Sequence, residues 1–215
     1  MRMKIRKYLT FLLLLSIVFG ISSCRDSLRR HWTEEGFNGK YFSNILVVGI
    51  SNQTREREFF ESYTTDLFEF NGYKSMLSHY IMPHQMELND SIFQSLIAKY
   101  KVDGVLVIAQ NSDEGTFPAT ETHKKLGKFY AQRHYKMHAP SFTTFEKPIM
   151  EALFYDFTNP ELGQLVWRGE MPIIKADNQE LKERFLNRMV NHLIEAGIIL
   201  NTKAQALFSG SKDLP

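Results

Sequence analysis

Ile45-Leu46-Val47-Val48-Gly49-Ile50 is an unbroken apolar run closed by Ser51-Asn52. It is short and partly β-branched, which predicts a strand buried on both faces in a sheet covered by helices. The flanking residues agree with this. Asn52-Gln53-Thr54 offers a helix cap, and Arg55–Phe70 places Phe59, Tyr63, Leu67 and Phe70 at helical spacing before Gly72. Tyr73–Leu77 reads as a short strand, followed by a loop containing Pro83. Asn89-Asp90-Ser91 then opens a second helix to about Tyr100, with Ile92, Leu96 and Ile97 toward the core. Asp103-Gly104 turns into Val105-Leu106-Val107-Ile108-Ala109, another buried strand. Strand, helix, strand, helix, strand across Asn44–Gln110 predicts parallel strands joined by right-handed crossovers.

The second half changes character. Phe145–Phe157 and Leu165–Met171 flank Thr158-Asn159-Pro160-Glu161-Leu162-Gly163, whose Asn-Pro and Gly are turn signals, so an antiparallel hairpin is expected. Asp177-Asn178-Gln179-Glu180 reads as a capping box for a last helix, with Leu181, Phe185, Met189 and Leu193 on its packing face and Gly197 at its end. The expected fold is therefore α/β: a mixed sheet, β-α-β-α-β and then an antiparallel hairpin and a C-terminal helix, in a two- or three-layer sandwich. Residues 44–200 suit one domain of ordinary size, with 201–215 as a tail.

Ahead of that domain, Met1–Tyr8 carries Arg2, Lys4, Arg6 and Lys7 without an acidic residue, Leu9–Phe19 is apolar, and Ile21-Ser22-Ser23 precedes Cys24, the single cysteine. This order resembles the lipobox of bacterial lipoproteins. The resemblance implies a signal peptide over 1–23, acylation of Cys24, and a lipidated tether over 24–43. The apolar run is shorter than the roughly 20 residues of a membrane-spanning helix. A lone thiol cannot close an internal disulfide. Removing the leader's four basic residues turns the formal charge of +2 into −2. Arg29-Arg30-His31 is too short a basic run for nucleic acid, and reads as solvated tether. Arg25, in place of the aspartate that resembles an inner-membrane retention signal, points to the outer membrane.

Ile45–Ile50 with Asn52, Arg55 and Phe59-Phe60-Glu61, then Val102–Val107, then Leu153-Phe154-Tyr155-Asp156 up to Gly163-Gln164-Leu165-Val166-Trp167, resembles a group of small uncharacterised bacterial lipoproteins. Their fold is similar to the TolB N-terminal domain and to the lipoproteins of curli secretion and penicillin-binding-protein activation. The resemblance covers roughly Asn44 to Leu200. It implies a periplasm-facing binding or accessory module, without catalytic residues or cofactor, whose partners are the membrane and an envelope protein or glycan.

Two regions offer contact residues. Arg55 stands where the first strand hands over to the first helix, a place that suits an anion. The competing reading is a solvated ion pair within Arg55-Glu56-Arg57-Glu58, and Ser51–Thr54 has no glycine to bring amides to a phosphate. The segment Asn111–Thr144 holds Phe117, His123, Phe129, Tyr130, His134, Tyr135, His138 and Phe142 with no sustained period. Such a long stretch suits a contact surface, with His123, Tyr130, His134, Tyr135 and His138 as candidates, or else added strands packing over the sheet edge. His134 and His138 could share a helix face, but they lack the HExxH glutamate, and Pro140 follows at once, so no metal is expected. No GxSxG, SxxK, GxGxxG or Walker pattern occurs. The alternatives to a binding module are an envelope hydrolase with a histidine of this segment as base, or a protein binding a small ligand or metal there.

Overall fold

The computed structural model describes residues 28–82, 90–111, 125–127, 130, 149–159, 163–173 and 178–200. Its elements are β1 (Arg30–Thr33), β2 (Ile45–Ile50), α1 (Thr54–Phe70), β3 (Ser75–Leu77), a 3₁₀ turn (Ser78–Tyr80), α2 (Asp90–Tyr100), β4 (Gly104–Asn111), β5 (Ile149–Asp156), β6 (Gln164–Pro172) and α3 (Gln179–Glu195). The sheet order is β1-β6-β5-β4-β2-β3. β2 pairs in parallel with β3 and β4, as crossover helices require, and β4-β5-β6-β1 are antiparallel. This is the α/β mixed sheet expected from the sequence.

Because side chains alternate along a strand, each face of the sheet gathers its own core. Ile45, Val47, Leu106, Met150 and Phe154 pack with Phe60 and Phe68 of α1 and with Phe185, Met189 and Leu193 of α3. Leu46, Val48, Val105, Val107, Leu153 and Tyr155 pack with Phe93 and Ile97 of α2 and with Leu126 and Tyr130. Helices on both faces make three layers. The helices close as the glycines foretell: Gly72 and Gly197 take φ of 82° and 67°, the left-handed conformation that ends a helix cheaply only at glycine.

Several boundaries differ from the sequence reading. Residues 24–43 do not all serve as tether. Leu28 is buried, Arg30–Thr33 pair with Glu170–Trp167 of β6, and Phe42 lies edge-on to Phe154 at 4.9 Å between ring centres. Backbone hydrogen bonds, which carry no hydrophobic signature in the sequence, recruit Arg30-His31-Trp32-Thr33 as an edge strand, with Trp32 its one apolar contact to a core. The strand expected at Tyr73–Leu77 is only Ser75–Leu77, since Tyr73 is a core residue whose hydroxyl donates to the Ile199 carbonyl at 3.3 Å. β5 is described from Ile149, and the part of the expected strand before it, 145–148, lies outside the described residues. The cap of α3 is Asn178, whose Oδ1 accepts from Leu181 N at 3.0 Å. That shift by one residue leaves Glu180 outside the capping-box position. Phe70, expected on the packing face of α1, is 90% exposed, and the buried face holds Arg57, Phe60, Glu61, Thr64, Thr65 and Phe68.

At the end where β2 and β4 begin, Asp103 binds the two strand entries together. Its carboxylate accepts from Ser43 N and Ser43 Oγ, each at 2.7 Å, and from Asn44 N at 2.9 Å. Phe42, next to this clamp, separates a tether from a folded segment. Phe42→Ala is expected to cost about 3–5 kcal/mol, the ordinary range for emptying a buried phenylalanine site. Urea denaturation measures it, and an unchanged midpoint would return residues up to 43 to the tether.

Candidate functional site

Open α/β sheets present their binding surface at the carboxyl ends of the parallel strands. Here that end carries a buried charge cluster built on Glu61, which is fully buried. Glu61 Oε1 accepts from Gly49 N at 3.0 Å, Arg57 Nε at 2.9 Å and Ser78 Oγ at 2.6 Å. Glu61 Oε2 accepts from His79 N at 2.8 Å and His79 Nδ1 at 2.7 Å. Five donors meet one carboxylate, which replaces the water it has lost. Arg57 completes the cluster, Nη2 donating to Ser78 Oγ at 2.9 Å and to the Met82 carbonyl at 2.8 Å.

The sequence permits this because of one glycine. A Cβ on Gly49 would stand 2.9 Å from the Arg57 carbonyl oxygen and 3.3 Å from Glu61 Cγ, so only a glycine lets α1 lie this close to β2. Tyr130 reaches the same place from the other face, packing edge-on to Phe93 at 5.5 Å. Burial pushes its phenol pKa up, Arg57 pulls it down, and Glu61 raises it. Tyr130 is therefore a core residue beside the charges, 2% exposed, rather than the surface contact expected of it.

The geometry also tests the run Arg55-Glu56-Arg57-Glu58. Successive helical residues diverge by about 100°, and the four separate accordingly. Arg55 and Glu58 are exposed, Arg57 is buried, and Glu56 pairs with Lys182 of α3 while accepting from Ser51 Oγ at 2.5 Å. The run is thus not one solvated face. Arg55 is exposed, and its helix cap, Gln53, makes no side-chain capping bond. His123, His134, Tyr135 and His138 lie outside the described residues, as does Cys24.

Chemically, the cluster is a strut. His79 has the carboxylate partner of a hydrolytic dyad, but the Ser78 hydroxyl points to Glu61 and Arg57 and is wholly buried, so it cannot meet a substrate. Among the described residues no group of three His, Cys, Asp or Glu could hold a metal ion.

A second charged group lies on the α2 face of the outer strands. Glu151 and Glu170 stand directly opposite each other on β5 and β6, a repulsive pair by itself. Arg168 donates to both, at 3.3 Å to Glu151 Oε2, and Arg30 of β1 donates to Glu170 Oε2 at 2.6 and 3.0 Å. Two cations thus balance two carboxylates, all but Arg30 buried.

On the α1–α3 face, Trp167 Nε1 donates to His192 Nδ1 at 3.2 Å, and the exposed His31 of β1 lies with its ring 4.3 Å from that of His192. None of these three groups is legible as a site in the sequence, because each joins residues from three separated segments. The one signal was the burial-prone Gly49 facing Glu61 across a strand-to-helix turn.

The comparisons with known proteins give little more. No family model and no curated protein matches the chain. Among solved structures, the chain resembles a PelC dodecamer from Paraburkholderia phytofirmans at 12% identity, covering 76% of this chain and 94% of that one with a TM-score of 0.38. A variant PelC dodecamer from the same organism matches at 11% identity, 76% and 95% coverage, and a TM-score of 0.39.

Two outcomes are expected. Glu61→Gln removes the anion while leaving Arg57 buried, which costs about 3–5 kcal/mol, whereas Glu61→Gln with Arg57→Met, which keeps an acceptor oxygen for Gly49 N and Ser78 Oγ, costs less. Equal losses in the single and double variants by urea denaturation would contradict a charge-based strut. For His192, burial first and then the neighbouring His31 lower the pKa, while Glu195 raises it. A lowered folded pKa gives stability that is present above the unfolded value and is lost as pH falls through the folded one. Thermal melting between about pH 7 and pH 5 should therefore fall on acidification, and His192→Gln should flatten that fall.

Proposed function

We propose that this protein is a lipid-anchored binding or accessory module of the bacterial envelope, of the lipoprotein kind its sequence resembles, and that it works without catalysis. The single observation behind this reading is the order of the chain: a basic start, an apolar stretch, Ile21-Ser22-Ser23-Cys24, and then a folded body from Leu28 onward. Several acyl chains on Cys24 hold a protein on a bilayer stably, where one chain binds only marginally. Arg25 after Cys24 favours the outer membrane. Among the described residues no helix is long and apolar enough to cross a membrane.

The fold supports a binding role in a specific way. Glu61, Arg57 and Ser78 are spent on one another and on the backbone, which makes a stiff end to the sheet instead of a reactive centre. The partner in this reading is an envelope protein or glycan, met by the surface around that scaffold. Expressed with its leader, the wild-type protein is expected in the membrane fraction and in the detergent-rich phase of a phase-partition assay. Cys24→Ser is expected in the aqueous phase. A processed Cys24→Ser protein that still partitions with membranes would refute the anchor.

A further inference from the structure

We infer that the carboxyl end of the parallel strands faces the bilayer, and that Tyr80 with Arg55 forms a second contact with lipid headgroups. The inference rests on the lipid anchor at Cys24, and it adds the orientation that the anchor alone leaves open.

Chain length places the first contact. Leu28 is only four residue steps from Cys24, so the acylated cysteine lies within about 14 Å of Leu28 even if the chain between is fully extended. Leu28 is fixed to the body. It is 5% exposed, its Cδ1 closes to 3.0 Å from where a Cβ on Gly169 would stand, and Arg29 N donates to the Glu170 carbonyl at 3.1 Å. Arg30 pairs with Glu170 near the end of β6, which is the end where β2 and β4 finish, since Asn111 pairs with Ile149 and Ile149 with Pro172. The anchor therefore meets the sheet at the corner between β1 and the carboxyl ends of the parallel strands.

One corner leaves the body free to rock. The opposite corner of the same end, five strand spacings or about 24 Å away, is formed by the start of α1 and the 3₁₀ turn after β3. The Arg57 and Glu61 bonds described above pin that turn, through Ser78, His79 and Met82. From it Tyr80 projects with 77% exposure, its ring 4.4 Å from that of His79. A large aromatic with a hydroxyl, held outward on a rigid turn, is the side chain that settles at a membrane interface. Arg55, exposed at the start of α1, adds a cation suited to a lipid phosphate. Among the described residues, the other large exposed aromatics lie at the far end: Phe70 ends α1, and Tyr41 precedes the entry of β2.

The test uses the full-length lipoprotein purified with its acyl chains and reconstituted in vesicles of phosphatidylethanolamine and phosphatidylglycerol. Tyr80→Cys and Phe70→Cys are each labelled with a fluorophore and challenged with headgroup-nitroxide lipids. In vesicle-floated protein, quenching at position 80 is expected to exceed that at position 70 several-fold. Equal quenching, or more at position 70, overturns the orientation while leaving the anchor intact. Protein that fails to float overturns the anchor itself, and the orientation with it. Arg55→Glu in the Tyr80→Cys background is expected to reduce quenching at position 80, and no change would remove Arg55 from the contact.

Discussion

A carboxylate with no exposed surface survives only where donors replace water, and at Glu61 those donors come from three separate stretches of chain. Gly49 supplies a strand amide, Arg57 a guanidinium one helical turn away, and Ser78 and His79 a hydroxyl, an amide and a ring nitrogen. Removing any one would leave an unsatisfied group in a low-dielectric setting, so the strand, the helix and the 3₁₀ turn must hold their places together. Gly49 has no side chain, Ser78 is buried, and the Met82 carbonyl faces inward, all to satisfy this one constraint. The same geometry turns Tyr80 outward.

The rest of the molecule divides its work by place. Both faces of the central strands β2 and β4 are apolar and covered, so nothing polar is asked of them. Charges gather where strands begin, end or lie toward the sheet edge. Asp103 ties the entries, Glu61 the exits, and Arg168 with Arg30 neutralises the glutamates of β5 and β6. Both edges are short, four residues in β1 and three in β3, which limits pairing with another chain.

What could be read from the sequence follows the same division. β2, β4 and α3 announce themselves because burial alone dictates their composition, and Phe185, Met189 and Leu193 are buried as their spacing requires. β1 could not be found that way, since an edge strand held by β6 and by Arg30–Glu170 needs no apolar run. In α1 the hydrophobic spacing finds only the margin of the buried face. Phe59, Tyr63 and Leu67 flank the core, with Tyr63 accepting from Asn187 of α3 at 2.7 Å, while the face turned to the sheet carries Arg57, Glu61 and Thr64. A pattern search that scores polar residues as solvent-facing must miss a helix whose buried face is partly ionic. The candidate site is hidden for the same reason, since Arg57 reads in sequence as one charge of a solvated run.

If Cys24 carries the anchor, the position of β1 also decides how a pull is borne. Leu28 and Arg29 lead into β1 already fixed to the body, so a load drawn along the strand axis would shear β1 against β6. Shear divides the force among the Arg30–Thr33 backbone pairs, the Arg30–Glu170 ion pair and the seated Leu28, where peeling would break them one after another. A four-residue edge strand is enough for that duty. With Cys24 as the anchor, the folded residues from Leu28 to Thr33 would then serve as its fastening to the sheet.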